Sequence, residues 1–354
     1  MAFLEIKNVR VVGVSAGVPK IIIDNISDFE NISENYNNED FVETTGVRWR
    51  HFDNTLTTSD LCYRAAEKLI EELKWNKKEI DAIIMVSQTH DFILPATSCI
   101  LQDKLGLPKE CFAEDIQLGC SGWVYGIGTL AALMQTGMIK KALLMCGDAK
   151  PHYLYPGDPL FGYAGTVTAL EYEEGNPGFK CHFGTDGSGY DAIIIPDGGS
   201  RNPVTLKSFE EIVIDGRKYT NLESQMKGMD VFAFGISTAP KSVKKLAEKY
   251  DYDYLDSDFF VFHQANKKMN DMVTKKLKLP QDKVPMSLME YGNTSSASIP
   301  MTLVGTIANE LRHGKHTITC CGFGVGLSWG TIHFETDNLV IPDIILVESN
   351  DNIL

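Results

Sequence analysis

The sequence predicts an α/β protein built of two similar halves that pack as one body. Three observations carry that reading. Strand-like and helix-like hydrophobic periodicities alternate along the chain, the strands read as unbroken apolar runs, and the whole pattern occurs twice. Unbroken apolar runs are what a sheet covered on both faces requires, because neither side of such a strand meets water. At 354 residues the chain is long enough to bury two cores of this kind.

The elements follow in order. After Thr58-Ser59-Asp60, whose short polar side chains suit a helix start, Leu61, Ala65, Leu69 and Leu73 fall on one helical face. The run Asp81-Ala-Ile-Ile-Met-Val-Ser-Gln88 then reads as a buried strand. A helix is predicted over Thr97–Leu105 and another over about Ser121–Met138, and Ala142-Leu-Leu-Met-Cys146 is a further buried strand closed by Gly147. The same succession returns in the second half. Asp258-Phe-Phe-Val-Phe262 leads through Leu277-Lys-Leu-Pro280 and Tyr291-Gly-Asn-Thr294 to a long apolar helix, then to a strand ending at Cys321-Gly322. Strand start and closing glycine stand 66 positions apart in one copy and 64 in the other.

This duplication divides the chain into an N-terminal half, 1–175, and a C-terminal half, 176–334, with residues 335–354 as an extension. Gly184–Gly189 and Pro196–Gly199 are turn-rich, and about 200–235 reads as an insertion. In the extension, Ile341–Val347 suits either an extra edge strand or a loose segment, with no role assigned.

Composition excludes several functions. Hydrophobic residues at 44% and charged residues at 23% are ordinary globular values and argue against disorder, collagen and coiled coil. With 33 Lys and Arg against 47 Asp and Glu, the net charge of −14 opposes broad binding to nucleic acid or anionic membrane. The N-terminus lacks a basic segment followed by an apolar stretch, and no uncharged apolar run reaches the roughly 18 residues a bilayer span needs, so a cytoplasmic location is expected. The eight cysteines contain no C-x-x-C pair and mostly sit in apolar runs, so neither zinc nor a disulfide framework is expected.

Four features could carry chemistry. Cys120, in Gly119-Cys120-Ser121-Gly122 directly before a helix, is either a small buried thiol or a nucleophile whose thiolate is stabilised by exposed N–H groups and the helix dipole. The matching turn of the second half, Gly292-Asn293-Thr294-Ser295-Ser296, is again small and polar, so two helix starts could face one pocket. His263 ends the strand Phe259–Phe262, which suits a hydrogen-bonded rim residue and equally a site at the carboxyl end of a parallel sheet. Gly322-Phe-Gly-Val-Gly326 allows close packing, or backbone N–H groups for half an oxyanion hole. Cys320 and Cys321 read as core. Nine lysines between 241 and 278, in an otherwise acidic chain, form solvated helix faces or a dock for a phosphorylated ligand or acidic carrier.

Taken together, Gly119–Gly122, His263-Gln264-Ala265-Asn266 and Gly292-Asn293-Thr294-Ser295-Ser296-Ala297-Ser298-Ile299-Pro300 closely resemble the three active-site motifs of 3-oxoacyl-[acyl-carrier-protein] synthase III. The resemblance runs from the first strand to about Phe334. It implies the thiolase fold, with duplicated βαβαβ halves in a five-layered α-β-α-β-α arrangement, a homodimer, and condensation of an acyl thioester with malonyl-acyl-carrier protein without metal or redox cofactor.

Carried over by motif, Cys120 resembles the nucleophile, and His263 and Asn293 the pair that promotes malonyl decarboxylation and stabilises the enolate. Backbone N–H groups of Cys120 and Val325 resemble the oxyanion hole, Gly228, Phe232, Asn266 and Lys268 the pantetheine and phosphate contacts, and Leu94 a residue of the acyl pocket. Asn293 separates the chain from thiolases, which carry a histidine there. Family members that use acetyl-CoA typically hold the adenine with a Trp and an Arg before the Thr45-Gly46-Val47 motif, but this chain reads Asp40-Phe-Val-Glu-Thr44. It has no arginine from 65 to 200, and Tyr163 replaces the usual Asp after Phe161-Gly162. The resemblance thus keeps the thioester arm and loses the nucleotide grip. Acyl-CoA and acyl-carrier protein both remain candidate donors. Two other readings remain: a Cys-dependent acyltransferase acting toward oxygen or nitrogen, and a non-catalytic acyl-carrier-binding subunit.

Overall fold

The computed structural model describes residues 2–28, 37–149, 158–214 and 217–351. The strands that matter for the site are Ala2–Ile6 (β1), Val9–Pro19 (β2), Ala82–Val86 (β3), Phe112–Ile116 (β4), Lys141–Gly147 (β5), Gly165–Tyr172 (β6) and Phe179–Thr185 (β7), followed by Phe259–Phe262 (β8), Lys315–Gly324 (β9), Ser328–Asp337 (β10) and Ile345–Val347 (β11). The principal helices are Thr58–Leu73 (α1), Thr97–Lys104 (α2), Gly122–Met134 (α3), Gly228–Tyr250 (α4), Lys267–Leu277 (α5) and Ser298–Thr306 (α6).

Two sheets carry the fold. One has six strands in the order β11-β2-β6-β5-β3-β4, the other five in the order β1-β7-β10-β9-β8. Their central pairings match. β3 runs parallel to β5 as β8 does to β9, and β5 runs antiparallel to β6 as β9 does to β10. Even the anchoring is repeated: the Asp81 carboxylate accepts from the Lys140 backbone N–H at 2.7 Å, and Asp258 accepts from that of Thr317 at 2.8 Å. Each aspartate pins the start of the neighbouring strand and so sets the register of its pair.

Apolar surface dictates the layers. α3 and α6 lie between the sheets, where Trp123, Val124, Ile127, Ile299 and Leu303 pack with residues of both. α1 and α2 cover the outer face of the six-stranded sheet, while α4 and α5 cover that of the five-stranded one. Five layers result, α-β-α-β-α. α3 is apolar almost all round because it has a sheet on each side, whereas α1 keeps a polar face toward solvent. A capping box, Thr57 with Asp60, starts α1 where the sequence places a helix.

Several boundaries differ from expectation. The helix expected to reach Met138 ends at Met134, and Gly137 takes φ +79° to turn the chain back toward β5. The long helix expected after Asn293 is divided into a 3₁₀ turn, Ser295–Ala297, then α6, then a short turn at Ala308–Leu311. α4 begins at Gly228, inside the stretch read as an insertion. β1, near the N-terminus, pairs with β7 in the second sheet. In the extension, β11 adds a parallel edge strand to β2 at Gly17–Pro19, and Val347 is buried with Ile23, Phe52, Leu56 and Leu61. Lys20 with Glu348, and Arg64 with Asp351 at 2.9 Å, pair across the same edge. Residues 352–354 lie outside the described residues.

Candidate active site

The turn after β4 carries Cys120 to the start of α3. Its glycines are there because the space is taken. A methyl group on Gly119 would lie 2.2 Å from Gln88 Oε1 and 3.3 Å from Ser295 Oγ, and one on Gly122 would lie 3.3 Å from the Cβ of Ser296. The start of α3 and the Ser295-Ser296 turn therefore touch, so the two polar turns read from the sequence meet. β9 closes the third side: a methyl on Gly324 would sit 2.9 Å from Cys120 Sγ. Only a hydrogen side chain leaves room for the thiol.

The sequence leaves Cys120 as either a small buried thiol or a nucleophile with a stabilised thiolate, and its surroundings in the fold bear on that choice. Burial pushes the Cys120 thiol up to about 11, and the nearby Asp148 charge adds to the rise. Hydrogen bonding from the Ser295 side chain and from the backbone N–H groups of Cys120 and Val325 acts in the opposite sense without overcoming it. The thiol itself is protonated at neutral pH.

His263 follows β8 and extends its pairing, its N–H donating to the carbonyl of Cys321 at 2.9 Å. The ring is 2% exposed, with Nδ1 2.7 Å from Ser298 Oγ and its edge against Phe323. Burial pushes its pKa down to about 3, so it is a neutral imidazole. Asn293 is 5% exposed. Its Oδ1 accepts from the Ser295 N–H at 2.9 Å, and its Nδ2 lies 3.5 Å from the Ala265 carbonyl. That amide ties the Asn293 turn to the loop after His263.

The other sequence candidates divide. Asn266 caps α5, its side chain accepting from the Met269 N–H at 2.8 Å, and Lys268 is exposed on the first turn of that helix. Gly228 opens α4, where an added methyl would meet nothing within 4 Å, and Phe232 packs half-buried against the core under α4 and α5. Leu94 is 84% exposed, between Ile93 and Pro95, so a single chain brings no buried pocket to it. Cys320 and Cys321 are fully buried core residues. Tyr163 is core too, its ring 4.7 Å from that of Phe52. Among the described residues no group of His, Cys, Asp and Glu suits a metal, and no helix is long and apolar enough to cross a membrane.

Sequence reasoning missed Asp148. Its carboxylate accepts from the Gln88 N–H at 2.6 Å, from Ser87 Oγ at 3.2 Å and from the Ser296 N–H at 3.3 Å, and burial raises its pKa. A charged residue directly after the closing glycine of a buried strand was the available signal.

A cysteine at the helix start of one duplicated α/β half, facing the polar turn of the other, places the chain in the thiolase superfamily. Comparison with known proteins narrows this class. Residues 114–187 match the family described as 3-oxoacyl-[acyl-carrier-protein (ACP)] synthase III, and residues 247–336 match its C-terminal counterpart. A beta-ketoacyl-[acyl-carrier-protein] synthase III of Clostridioides difficile is 35% identical, over 90% of this chain and 96% of its own. One of Desulfitobacterium hafniense is 33% identical over 91% and 96%. The crystal structure of a 3-oxoacyl-(acyl-carrier protein) synthase from Burkholderia xenovorans superposes with TM-score 0.89 and 36% identity, covering 98% of this chain and 99% of that one. The chain belongs to the 3-oxoacyl-[acyl-carrier-protein] synthase III family, and it is an acyl-transferring condensing enzyme.

Proposed function

We propose that this chain joins an acyl thioester to malonyl-acyl-carrier protein by decarboxylative Claisen condensation, through an acyl-Cys120 intermediate. The observation that supports it best is that the Cys120 turn meets the Ser295-Ser296 turn of the other half, while Gly324 of β9 packs so close that an added methyl would lie 2.9 Å from the sulfur. In the first half-reaction Cys120 attacks the thioester carbonyl. The N–H groups of Cys120 and Val325 hold the tetrahedral oxyanion, and the carrier thiol leaves. In the second, malonyl thioester binds beside the acyl-enzyme. In this reading the neutral His263 ring, as the Nε2–H tautomer with Nδ1 against Ser298 Oγ, donates from Nε2, and Asn293 donates from Nδ2, both toward the thioester oxygen as carbon dioxide departs. The enolate then attacks the acyl-Cys120 carbonyl. A neutral imidazole suits this role, since it stabilises charge without protonating the carbanion.

Asn266, Lys268, Gly228 and Phe232 flank the thioester arm in this reading, and a homodimer would let the exposed Leu94 line an acyl pocket. Loss of an adenine stack and two arginine contacts weakens CoA recognition by at least about a hundredfold. An acidic carrier loses nothing by it and meets the exposed Lys241, Lys244, Lys245 and Lys268 on α4 and α5, although Lys267 is engaged by Asp271 at 2.7 Å. Intact-mass spectrometry after incubation with the same acyl group on CoA and on carrier protein tests both points. Cys120 is acylated, Cys320 and Cys321 are not, and the carrier reacts faster, with a salt-sensitive rate. Equal labelling of wild type and Cys120→Ala overturns the mechanism, and a preference for CoA overturns the donor assignment.

A further inference from the structure

Arg50, in the short strand Trp49–His51, is 0% exposed, a placement that asks for a reason. Taking a guanidinium out of water is costly, and apolar residues of similar volume often serve a core as well or better. A buried arginine therefore points to a demand of geometry. We infer that Arg50 and Asn25 form a positioning clamp for Asn293: together they fix the segment Pro159–Gly162, and that segment fixes the main chain from which the Asn293 amide is aimed. The inference rests on Asn293 acting in malonyl decarboxylation.

Each link in the clamp is a hydrogen bond. The strand Trp49–His51 pairs antiparallel with Ile22–Asp24, and the Asn25 N–H donates to the Arg48 carbonyl at 2.8 Å, so Asn25 and Arg50 share one register. Arg50 Nε donates to Asn25 Oδ1 at 3.2 Å and its Nη1 to the Phe161 carbonyl at 3.3 Å. Asn25, also 0% exposed, donates from Nδ2 to the carbonyls of Val47 at 3.1 Å and Pro159 at 2.8 Å. The carbonyls of Pro159 and Phe161 are thus anchored on one side. Successive carbonyls of an extended chain point opposite ways, and the one between them, that of Leu160, accepts from the Asn293 N–H at 2.9 Å. The Gly162 N–H donates back to the Asn293 carbonyl at 3.2 Å, which completes a parallel bridge between Phe161 and Asn293. Both main-chain groups of Asn293 are held by the clamped segment.

Packing leaves this arrangement little room to slip. A methyl on Gly162 would lie 2.0 Å from the Tyr291 carbonyl oxygen and 3.4 Å from Arg50 Cβ. The His51 ring stacks on that of Tyr291 with centroids 5.5 Å apart, and the Tyr163 N–H donates to the His51 carbonyl at 2.9 Å. Arginine suits the role better than lysine, because Nε and Nη1 belong to one rigid fork and hold Asn25 and Phe161 at a set separation. Cys120 is confined by other contacts, those of Gly119, Gly122 and Gly324, so the clamp governs the second half-reaction and not the first.

The test compares full-length wild type, Arg50→Lys, Asn25→Ala and Asn293→Ala, each verified by thermal unfolding. Intact mass follows self-acylation of Cys120, and carbon dioxide release follows decarboxylation of malonyl-carrier protein across a range of its concentrations. Arg50→Lys lowers kcat for decarboxylation at least about tenfold, with KM and the self-acylation rate both within about twofold. Asn25→Ala gives the same pattern, and the double variant loses less than the product of the two single losses, because both residues act on one segment. A role in stability alone would lower Tm while leaving both rates of the folded protein unchanged, or would reduce the two together. If Arg50→Lys does not fold, Asn25→Ala carries the comparison. The clamp is overturned if a folded variant decarboxylates with the wild-type kcat, or if its self-acylation falls as far as its decarboxylation. If Asn293→Ala decarboxylates as wild type does, the parent reading falls with it, whereas an inactive Asn293→Ala beside unaffected Arg50→Lys and Asn25→Ala removes the clamp alone.

Discussion

Gly324→Ala tests the geometry of the site most directly. The added methyl would lie 2.5 Å from the Cβ of Cys120 and 2.9 Å from its sulfur. Ordinary contact begins near 3.4 Å, so the two Cβ atoms must part by about 0.9 Å. Cys120 has little freedom to yield, because it opens α3, whose Gly122 cannot move toward Val86 and Ser296. Nor can β9 retreat easily, being paired at this level with Ser328 of β10. Overpacking of this kind costs about 1–3 kcal/mol of stability. A displacement near 1 Å at a reacting atom costs about a hundredfold in rate, equivalent to about 2.7 kcal/mol of activation free energy. The expected outcome is a folded protein with a modestly lowered Tm and self-acylation of Cys120 reduced about a hundredfold, read by intact mass over a time course. Gly187→Ala is the control, because a methyl there meets nothing within 4 Å, and it should change neither quantity. Wild-type acylation by Gly324→Ala would refute the argument that β9 shapes the thiol's space.

His263→Ala and Asn293→Ala should each abolish malonyl decarboxylation while leaving self-acylation within about tenfold, or about 1.4 kcal/mol; loss of self-acylation in both folded variants would sink that division of labour. His333, stacked on Tyr252 and 2.9 Å from Thr319 Oγ1, is held at about 4 by burial and by the Lys180 charge, against 6.5 unfolded. Below pH 6.5 the unfolded chain binds a proton the native site resists, so stability is lost as pH falls toward 4. The Tm of His333→Gln relative to wild type should therefore rise on acidification, and a constant difference across that range would contradict the sign. Val347→Ala should cost about 2 kcal/mol in denaturant unfolding, since the side chain is fully buried under the edge strand of the extension. A neutral result would show that β11 is not part of the core.

Much of this protein is legible without coordinates because its physics is local. The alternation of apolar strands and helices, and its repetition from Asp81 and again from Asp258, follows from which faces must avoid water, and periodicity records that in the order of residues. The same is true of the helix start read at Thr58-Ser59-Asp60, which the structure caps through Thr57 and Asp60 within four residues. The turns carrying Cys120 and Asn293 are also written locally, since only small residues allow such close approach. What no local pattern records is the company those turns keep. Asp148 is one acidic residue after a glycine until β5 brings it against the Ser296 N–H, and the Cys120 thiol is held protonated by burial and by a charge that stands 28 positions away in the chain. Whether Ile341–Val347 lies loose or paired was likewise undecided until β2 offered an open edge. Periodicity sets which surfaces are buried; burial depth and through-space charge belong to the assembled layers, and they decide how the cysteine ionises.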